Sequence, residues 1–399
     1  MRALFRLYRD AYSHLPPAVW WLCSVAFVNR AGTMVVPFLT LWLTTQRGYE
    51  PKVAGLLVGV YGVGSLIGTY FGGWLTDRIG AKRVQTASLG GAGVLFMALG
   101  QADGLGALLS VLFVLGFVAD AFRPANLALL AIACPPEHRN KAFALMRLAI
   151  NLGWSVGPTL GGLLAKQSYA FLFWIDGATC LLAMLLFVGF VQRRLPNDDT
   201  SPATPQGSRS PWRDRPFLLT IVMTLIMATV FMQFFATAPL QYERHYGLDE
   251  AAIGMLSGLN ALMVVAFEMA LVQALGKRRP LPTVALGALL MGLGFSLIGL
   301  GTTMPFAALC VLIWTCGEML ESAQLMTYVA NRAGSKNRGR YLGLLSLTYS
   351  LAFVLAPVLG TLVWSDVGPG ALWGGCLALG AVAAAGFLWV DRSEQRAGQ

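Results

Sequence analysis

The sequence predicts an all-α polytopic membrane protein: twelve transmembrane helices in two six-helix bundles, the second a pseudo-two-fold parallel repeat of the first. Three observations carry this. The 399 residues are 56% hydrophobic and only 12% charged, about half of the roughly 25% charge that soluble domains carry. The apolar residues run continuously for about 20 positions at a time, long enough to cross a bilayer as helices and unlike the alternation of barrel strands. The two halves also match in register at a spacing of 199 residues.

The spans fall at 18–44, 53–76, 84–102, 106–133, 141–165, 169–191, 216–241, 250–275, 281–302, 305–330, 340–365 and 370–390. The first is too long for a secretory signal and lacks a small-residue cleavage pattern. Ahead of it, residues 1–17 set Arg2, Arg6 and Arg9 on one helical face and Leu4, Phe5, Tyr8 and Tyr12 on another. That is the pattern of an amphipathic segment on an anionic leaflet; a frayed basic tail is the other reading. The bundles are 18–191 and 216–391, joined by a polar, Pro- and Ser-rich linker at 192–215 and followed by a tail at 392–399. The 45 glycines suit close helix approach in lipid.

Charge sets the orientation. With both termini in the cytoplasm, cytoplasmic segments collect 22 of the 29 Lys and Arg, while Arg47, Lys52, Lys166 and Arg244 fall outside. The positive-inside rule favours that placement. The net charge of +10 is therefore topological, and no nucleic-acid partner is expected. Cys23, Cys134, Cys180, Cys310, Cys316 and Cys376 lack metal-ligand spacing, and there are three histidines. No Walker-type loop is present. Neither an enzyme nor a bound metal or cofactor is expected, and active transport would draw on a gradient.

The repeat is concrete. "HRNKAFALMRLAINLGWSVGPTLGGLL" from His138 aligns with "NRGRYLGLLSLTYSLAFVLAPVLGTLV" from Asn337, pairing Arg139 with Arg338, Lys141 with Arg340, Pro158 with Pro357 and Gly161 with Gly360. The same spacing pairs Gly55, Leu57 and Gly59 with Gly254, Leu256 and Gly258. Two six-helix halves in parallel repeat follow.

Between the second and third spans stands "GGWLTDRIGAKR", residues 72–83. It resembles the signature of the major facilitator superfamily (MFS), whose secondary transporters the chain is similar to over essentially its whole length. Gly73, Asp77, Arg78, Gly80, Lys82 and Arg83 match, and the second half keeps a degenerate "GKRRP" from Gly276 to Pro280. The resemblance implies a cytoplasmic latch. Asp77 ends a helix where it can meet the positive N-terminal end of span 11 near Arg340, Gly80 makes the turn, and the basic residues hold the loop at an anionic leaflet.

On span 5, "NLGWSVGPTLGG" resembles the pattern that marks antiporters of the superfamily, through Gly153, Gly157, Pro158, Gly161 and Gly162, with Ala144 where a further glycine belongs. It weights the reading towards export; a generic packing face is the alternative. The drug-exporter arginine of span 4 is missing, with Leu112 in its place. That span carries Asp120 and Arg123 on one face instead.

Charges inside the bilayer need partners or water. Arg30, Asp120, Arg123 and Arg147 lie in the first half, Glu268, Glu318 and Glu321 in the second, so the cores carry +2 and −3. Asp120 and Arg123 form a pair open to a structural or a functional reading. Asp176 is read as a cap or anchor of span 6. Glu318 and Glu321 stand three apart on span 10, where side-by-side acids disfavour double ionisation. Asn29, Tyr61, Asn151, Gln233, Asn260, Trp314 and Gln324 complete a polar pathway at similar depth.

The expected function is secondary active transport of a small organic metabolite or drug by alternating access, with proton-coupled export (antiport) leading. Uptake of a zwitterionic peptide or amino-acid-like compound is the alternative. The charge division suits it, and "FVNRAG" on span 1 is similar to the arginine-bearing helix of proton-coupled peptide transporters, without their two preceding glutamates. A membrane sensor or lipid scramblase is a third class. The partners expected are substrate, protons and lipid, for a monomer in a bacterial inner membrane.

Overall fold

In the computed structural model, residues 15–135, 138–195, 211–275 and 278–397 are described. Most of the amphipathic N-terminal segment, the middle of the linker and the first two residues of "GKRRP" lie outside them. The described residues are predominantly helical, with no strand among them.

Among the described residues, eleven helical stretches are long and apolar enough to cross a membrane. The expected third span is helical too, over Ala81–Gln101, but Lys82, Arg83 and Gln85 dilute its apolarity. Spans 10 and 11, expected as separate helices, form one continuous helical run, Met304–Asp366. Within it, Met304–Ala333 and Arg340–Asp366 are the two membrane-length stretches. The intervening residues include no proline to end a helix.

Helix starts and stops follow local chemistry. Pro17, Pro216, Pro280 and Pro305 occupy first-turn positions, where a missing N–H would be unbonded anyway. Between spans 2 and 3 the chain turns on one residue, Gly80, at φ 90°, a conformation that a side chain would strain. Span 1 is interrupted: Pro17–Ala31 and Val35–Thr45 are separate helices. Span 4 breaks at Ala121, between Leu105–Asp120 and Phe122–Ala133, because the Pro124 ring crowds the Asp120 carbonyl four residues back.

The chain divides into two compact units, Met1–Val36 with Val63–Pro202 and Pro37–Gly62 with Ala203–Gln399. The first packs Leu22, Val25, Leu129, Met146 and Phe187 into its core. The second buries Trp314, Trp373, Phe295 and Phe387. It also contains a close seam between spans 2 and 11, where a Cβ on Gly55 would lie 2.5 Å from the Pro357 carbonyl oxygen and one on Gly59 2.7 Å from a Val358 methyl. Lys52 and Asp366 form an ion pair at the end of that seam.

The parallel repeat extends to individual contacts. A Cβ on Gly161 would meet the Met34 Cβ at 3.0 Å; its partner in the repeat is Gly360, where a Cβ would meet Gln233 Oε1 at 2.1 Å. Likewise a Cβ on Gly93 would lie 2.9 Å from the Gly177 carbonyl oxygen, and one on Gly292 2.9 Å from that of Cys376. The same Cβ on Gly93 would lie 2.8 Å from the Leu181 Cγ, and that on Gly292 3.1 Å from the Gly380 Cα. In each half, glycines thus bring spans 1 and 5, and spans 3 and 6, or their counterparts, into close contact.

A Cβ at Gly93 would press on backbone that cannot swing away. Gly93→Ala should therefore destabilise the protein by about 1–3 kcal/mol. Gly106 has nothing within 4 Å of such a Cβ, so Gly106→Ala should be neutral or stabilise by up to about 1 kcal/mol. Thermal melting of both variants in one detergent checks the contrast.

Candidate functional site

Span 10 carries the densest set of candidate residues, and its two acids face different neighbours. Glu318 accepts a hydrogen bond from Asn260 Nδ2 on span 8 at 2.8 Å, and the same group donates to Thr315 Oγ1 at 3.1 Å. Both amide hydrogens are thus engaged. Glu321 is 3% exposed and lies against span 9, where glycine at 287 makes room: a Cβ there would come within 3.1 Å of the Glu321 Cβ. Among the described residues, Glu321 Oε2 accepts no hydrogen bond and retains bonding capacity.

Around them the helices supply walls. Trp314, one turn before Glu318, is fully buried among Phe231, Phe234 and Phe295, with ring centroids 6.0, 5.0 and 5.2 Å away. Gln324 is buried on the same helix, and Glu268 is buried two turns beyond Asn260. Tyr61 packs on Phe353 at 5.8 Å between centroids. Gln233 is occupied in holding span 7 to span 11. Its Nε2 donates to the Ala356 carbonyl at 3.1 Å, and its Oε1 accepts from the Thr237 hydroxyl at 2.7 Å.

In the first half, Arg123 Nε donates to Asp120 Oδ1 at 2.8 Å, forming the expected pair. The Ser65 hydroxyl donates to the other Asp120 oxygen, a span 2 partner that no sequence pattern marks. Asp120 is buried, whereas Arg123 reaches the protein surface. Asn29 Nδ2 contacts Cys180 Sγ at 3.4 Å. Arg30 lies in the last turn of the first helix of span 1, a favourable place for a cation. Arg147 is exposed on span 5 and Asn151, one turn on, is half-buried.

The span 5 motif has a defined partner. A Cβ on Gly153 would fall 2.5 Å from the Arg30 Cβ, and one on Gly157 2.8 Å from the Thr33 carbonyl oxygen. Together with Gly161 they form a bare face on which the interrupted part of span 1 rests. Asp176, expected to serve span 6, instead serves span 1: its Oδ2 accepts from the backbone N–H groups of Met34 and Val35 at 3.2 and 3.1 Å. Local position misleads here because the nearer recipient in sequence lies 141 residues away.

In the latch segment, Asp77 and Arg78 are exposed, and the Arg78 guanidinium sits over the Trp74 ring at 4.3 Å. Gly73 has room for a Cβ, its nearest neighbour being 3.8 Å away. Lys82, expected to face lipid headgroups, donates to the Leu195 carbonyl at 2.9 Å and closes the end of span 6.

A further cluster carries no sequence signal. Arg332 donates from Nε to Asp214 Oδ2 at 2.7 Å and also bonds Glu394. Tyr341 donates to Asp214 Oδ2 at 2.9 Å and Tyr328 to Glu394 Oε1 at 2.7 Å. Asp214 in turn caps span 7 by accepting from the Phe217 N–H. Its residues are far apart in sequence and individually ordinary. Among the described residues no group of His, Cys, Asp or Glu is arranged to hold a metal ion.

A family model described as Major Facilitator Superfamily matches residues 22–357. The chain belongs to the Major Facilitator Superfamily. Among MFS relatives, it is 25% identical over 366 residues to a Na(+), Li(+), K(+)/H(+) antiporter of Planococcus maritimus, covering 83% of this chain and 86% of that one. It is 26% identical over 251 residues to the quinolone resistance protein NorA of Staphylococcus aureus, covering 59% and 61%. A crystal structure of the peptide transporter POT in complex with sulfate superposes with a TM-score of 0.78 at 18% identity, covering 95% of each chain. That likeness establishes the MFS fold. The chain is thus an integral membrane protein of a transporter family.

The Asp214 cluster makes a pH prediction. Burial works to raise the Asp214 pKa, but hydrogen bonds from Arg332 and Tyr341 and the Arg332 charge outweigh it and hold the carboxyl below its usual 3.8. A carboxyl lowered in the folded state stabilises the protein above its unfolded pKa, and that stability fades as pH falls through the folded value. Asp214→Asn should lower stability by about 1–3 kcal/mol near neutral pH. The gap in melting temperature from the parent should persist down to about pH 4 and shrink only below it.

Proposed function

We propose that the protein is a secondary active transporter that exports a small organic metabolite or drug in exchange for protons, by alternating access across a bacterial inner membrane with both termini cytoplasmic. The observation that carries the proton assignment is the span 10 pair. Glu318 is held by Asn260 in an accepting role, and the buried Glu321 keeps an oxygen with capacity to spare. A proton taken by either acid would turn an acceptor into a donor and reorder its contacts to spans 8 and 9. The relatives named for cation/H(+) antiport and for quinolone resistance support exchange and export. Asp77 would bias the cycle from its exposed place at the end of span 2, but not by meeting a helix N-terminus near Arg340, because the helix Met304–Asp366 runs straight through that residue.

The test uses reconstituted vesicles. Glu318→Gln or Glu321→Gln should abolish substrate accumulation driven by a pH gradient, while substrate counterflow, which needs no net proton movement, remains measurable. Wild-type pH dependence in both single variants and in the double variant would exclude span 10 as the proton carrier and leave Glu268 as the next candidate.

The second reading is uptake of a zwitterion, favoured by the opposite signs of the two cores and compatible with the fold shared with the peptide transporter. It expects Arg30→Gln to weaken substrates bearing a carboxylate far more than their amides, and Glu318→Gln to weaken amines selectively. Equal loss of all substrates in competition assays would remove it.

A further inference from the structure

Span 1 is interrupted beside a candidate substrate residue, and the interruption is built from several directions. The carbonyls that end Pro17–Ala31 are met locally: Gly32 N–H donates to Val28 O at 3.2 Å and Thr33 N–H to Arg30 O at 3.0 Å. The helix that restarts at Val35 begins with N–H groups that have no intrahelical partner, and hydrocarbon offers no water to satisfy them. A helix start normally finds its acceptor in the side chain of its own cap residue. Here the residue ahead of Val35 is Met34, whose thioether is only a weak acceptor. The Thr33 hydroxyl is turned the other way and donates to the Asn29 carbonyl at 3.3 Å. The acceptor arrives from span 6: Asp176, 1% exposed, receives both Met34 and Val35.

The surroundings leave the gap little freedom. A Cβ on Gly32 would fall 1.7 Å from Thr179 Oγ1, and Gly157 presents no side chain to the Thr33 carbonyl. Arg30 lies two residues before the gap.

We propose that Asp176 is a positioning residue that fixes the interruption of span 1 and thereby the placement of Arg30 during transport. The carboxylate acts through its accepted hydrogen bonds rather than by touching substrate. The transport readout below rests on the transporter reading; the exchange readout does not.

The experiment follows deuterium uptake by the backbone of the full-length protein in lipid nanodiscs, in the peptides that contain Met34 and Val35. Asp176→Asn retains an acceptor oxygen and should keep the parent's exchange rate in those peptides and its transport parameters. Asp176→Ala should speed exchange there and lower maximal transport, since losing a cap shifts the ratio of closed to open helix starts by roughly 2- to 30-fold. Peptides from span 3 should exchange as in the parent, which separates a local release from general unfolding. Should the alanine variant not accumulate in the membrane, Asp176→Ser, with one hydroxyl oxygen, should give an intermediate rate. Unchanged exchange at Met34 and Val35 in the alanine or serine variant would overturn the proposal. So would an asparagine variant as fast as alanine, which would make charge rather than capping the active property.

Discussion

Inside hydrocarbon a backbone polar group must find its partner within the protein, and most of this structure follows from that rule. Uninterrupted helices satisfy it automatically. The informative places are those where a helix stops at membrane depth. At 32–34 the bonds are completed by Asp176 from another span. At Ala121 a nearby proline removes one donor and causes the break. At Thr237 the chain bonds back to the Gln233 carbonyl at 3.0 Å while the Gln233 side chain reaches across to span 11. Buried polar residues that look like pathway candidates in the sequence thus divide into those occupied in backbone repair and those, such as Glu321, with an oxygen to spare.

Helix contact supplies the second layer. With little hydrophobic drive between helices in lipid, association depends on close packing, and glycines mark where it happens. The span 5 motif connects packing to the candidate site. Its glycines accommodate the backbone around Thr33 and the base of Arg30, so a pattern associated with antiporters is, in this molecule, the bed of an interrupted helix.

The fold was legible because its signals are additive over many residues: apolar runs, topogenic charges and a fixed spacing of 199 residues. Even the more polar third span could be placed between its neighbours. The site was legible only as an inventory. Burial of ionisable residues such as Asp120 and Glu321 followed from their depth, and Arg123 from its place on the same helix face as Asp120, but partners on other spans did not. Ser65 meets Asp120 across 55 positions and Asn260 meets Glu318 across 58. Lys82 reads as a lipid-facing charge because its carbonyl partner, Leu195, belongs to a helix end 113 residues away. Pairings of that kind are tertiary facts, without a local periodicity to announce them.

The duplicated contact between spans 3 and 6 also records how such a seam can drift. In the first half Gly93 abuts Gly177 and Leu181; in the second Gly292 abuts Cys376 and Gly380. The approaching glycine is common to both halves, while the glycine opposite it stands one helical turn later in the second. What the two halves share is an approach of glycine to glycine, not the position at which the second glycine stands. A glycine pair of this kind can sit at either turn of the facing helix and still let the two backbones meet.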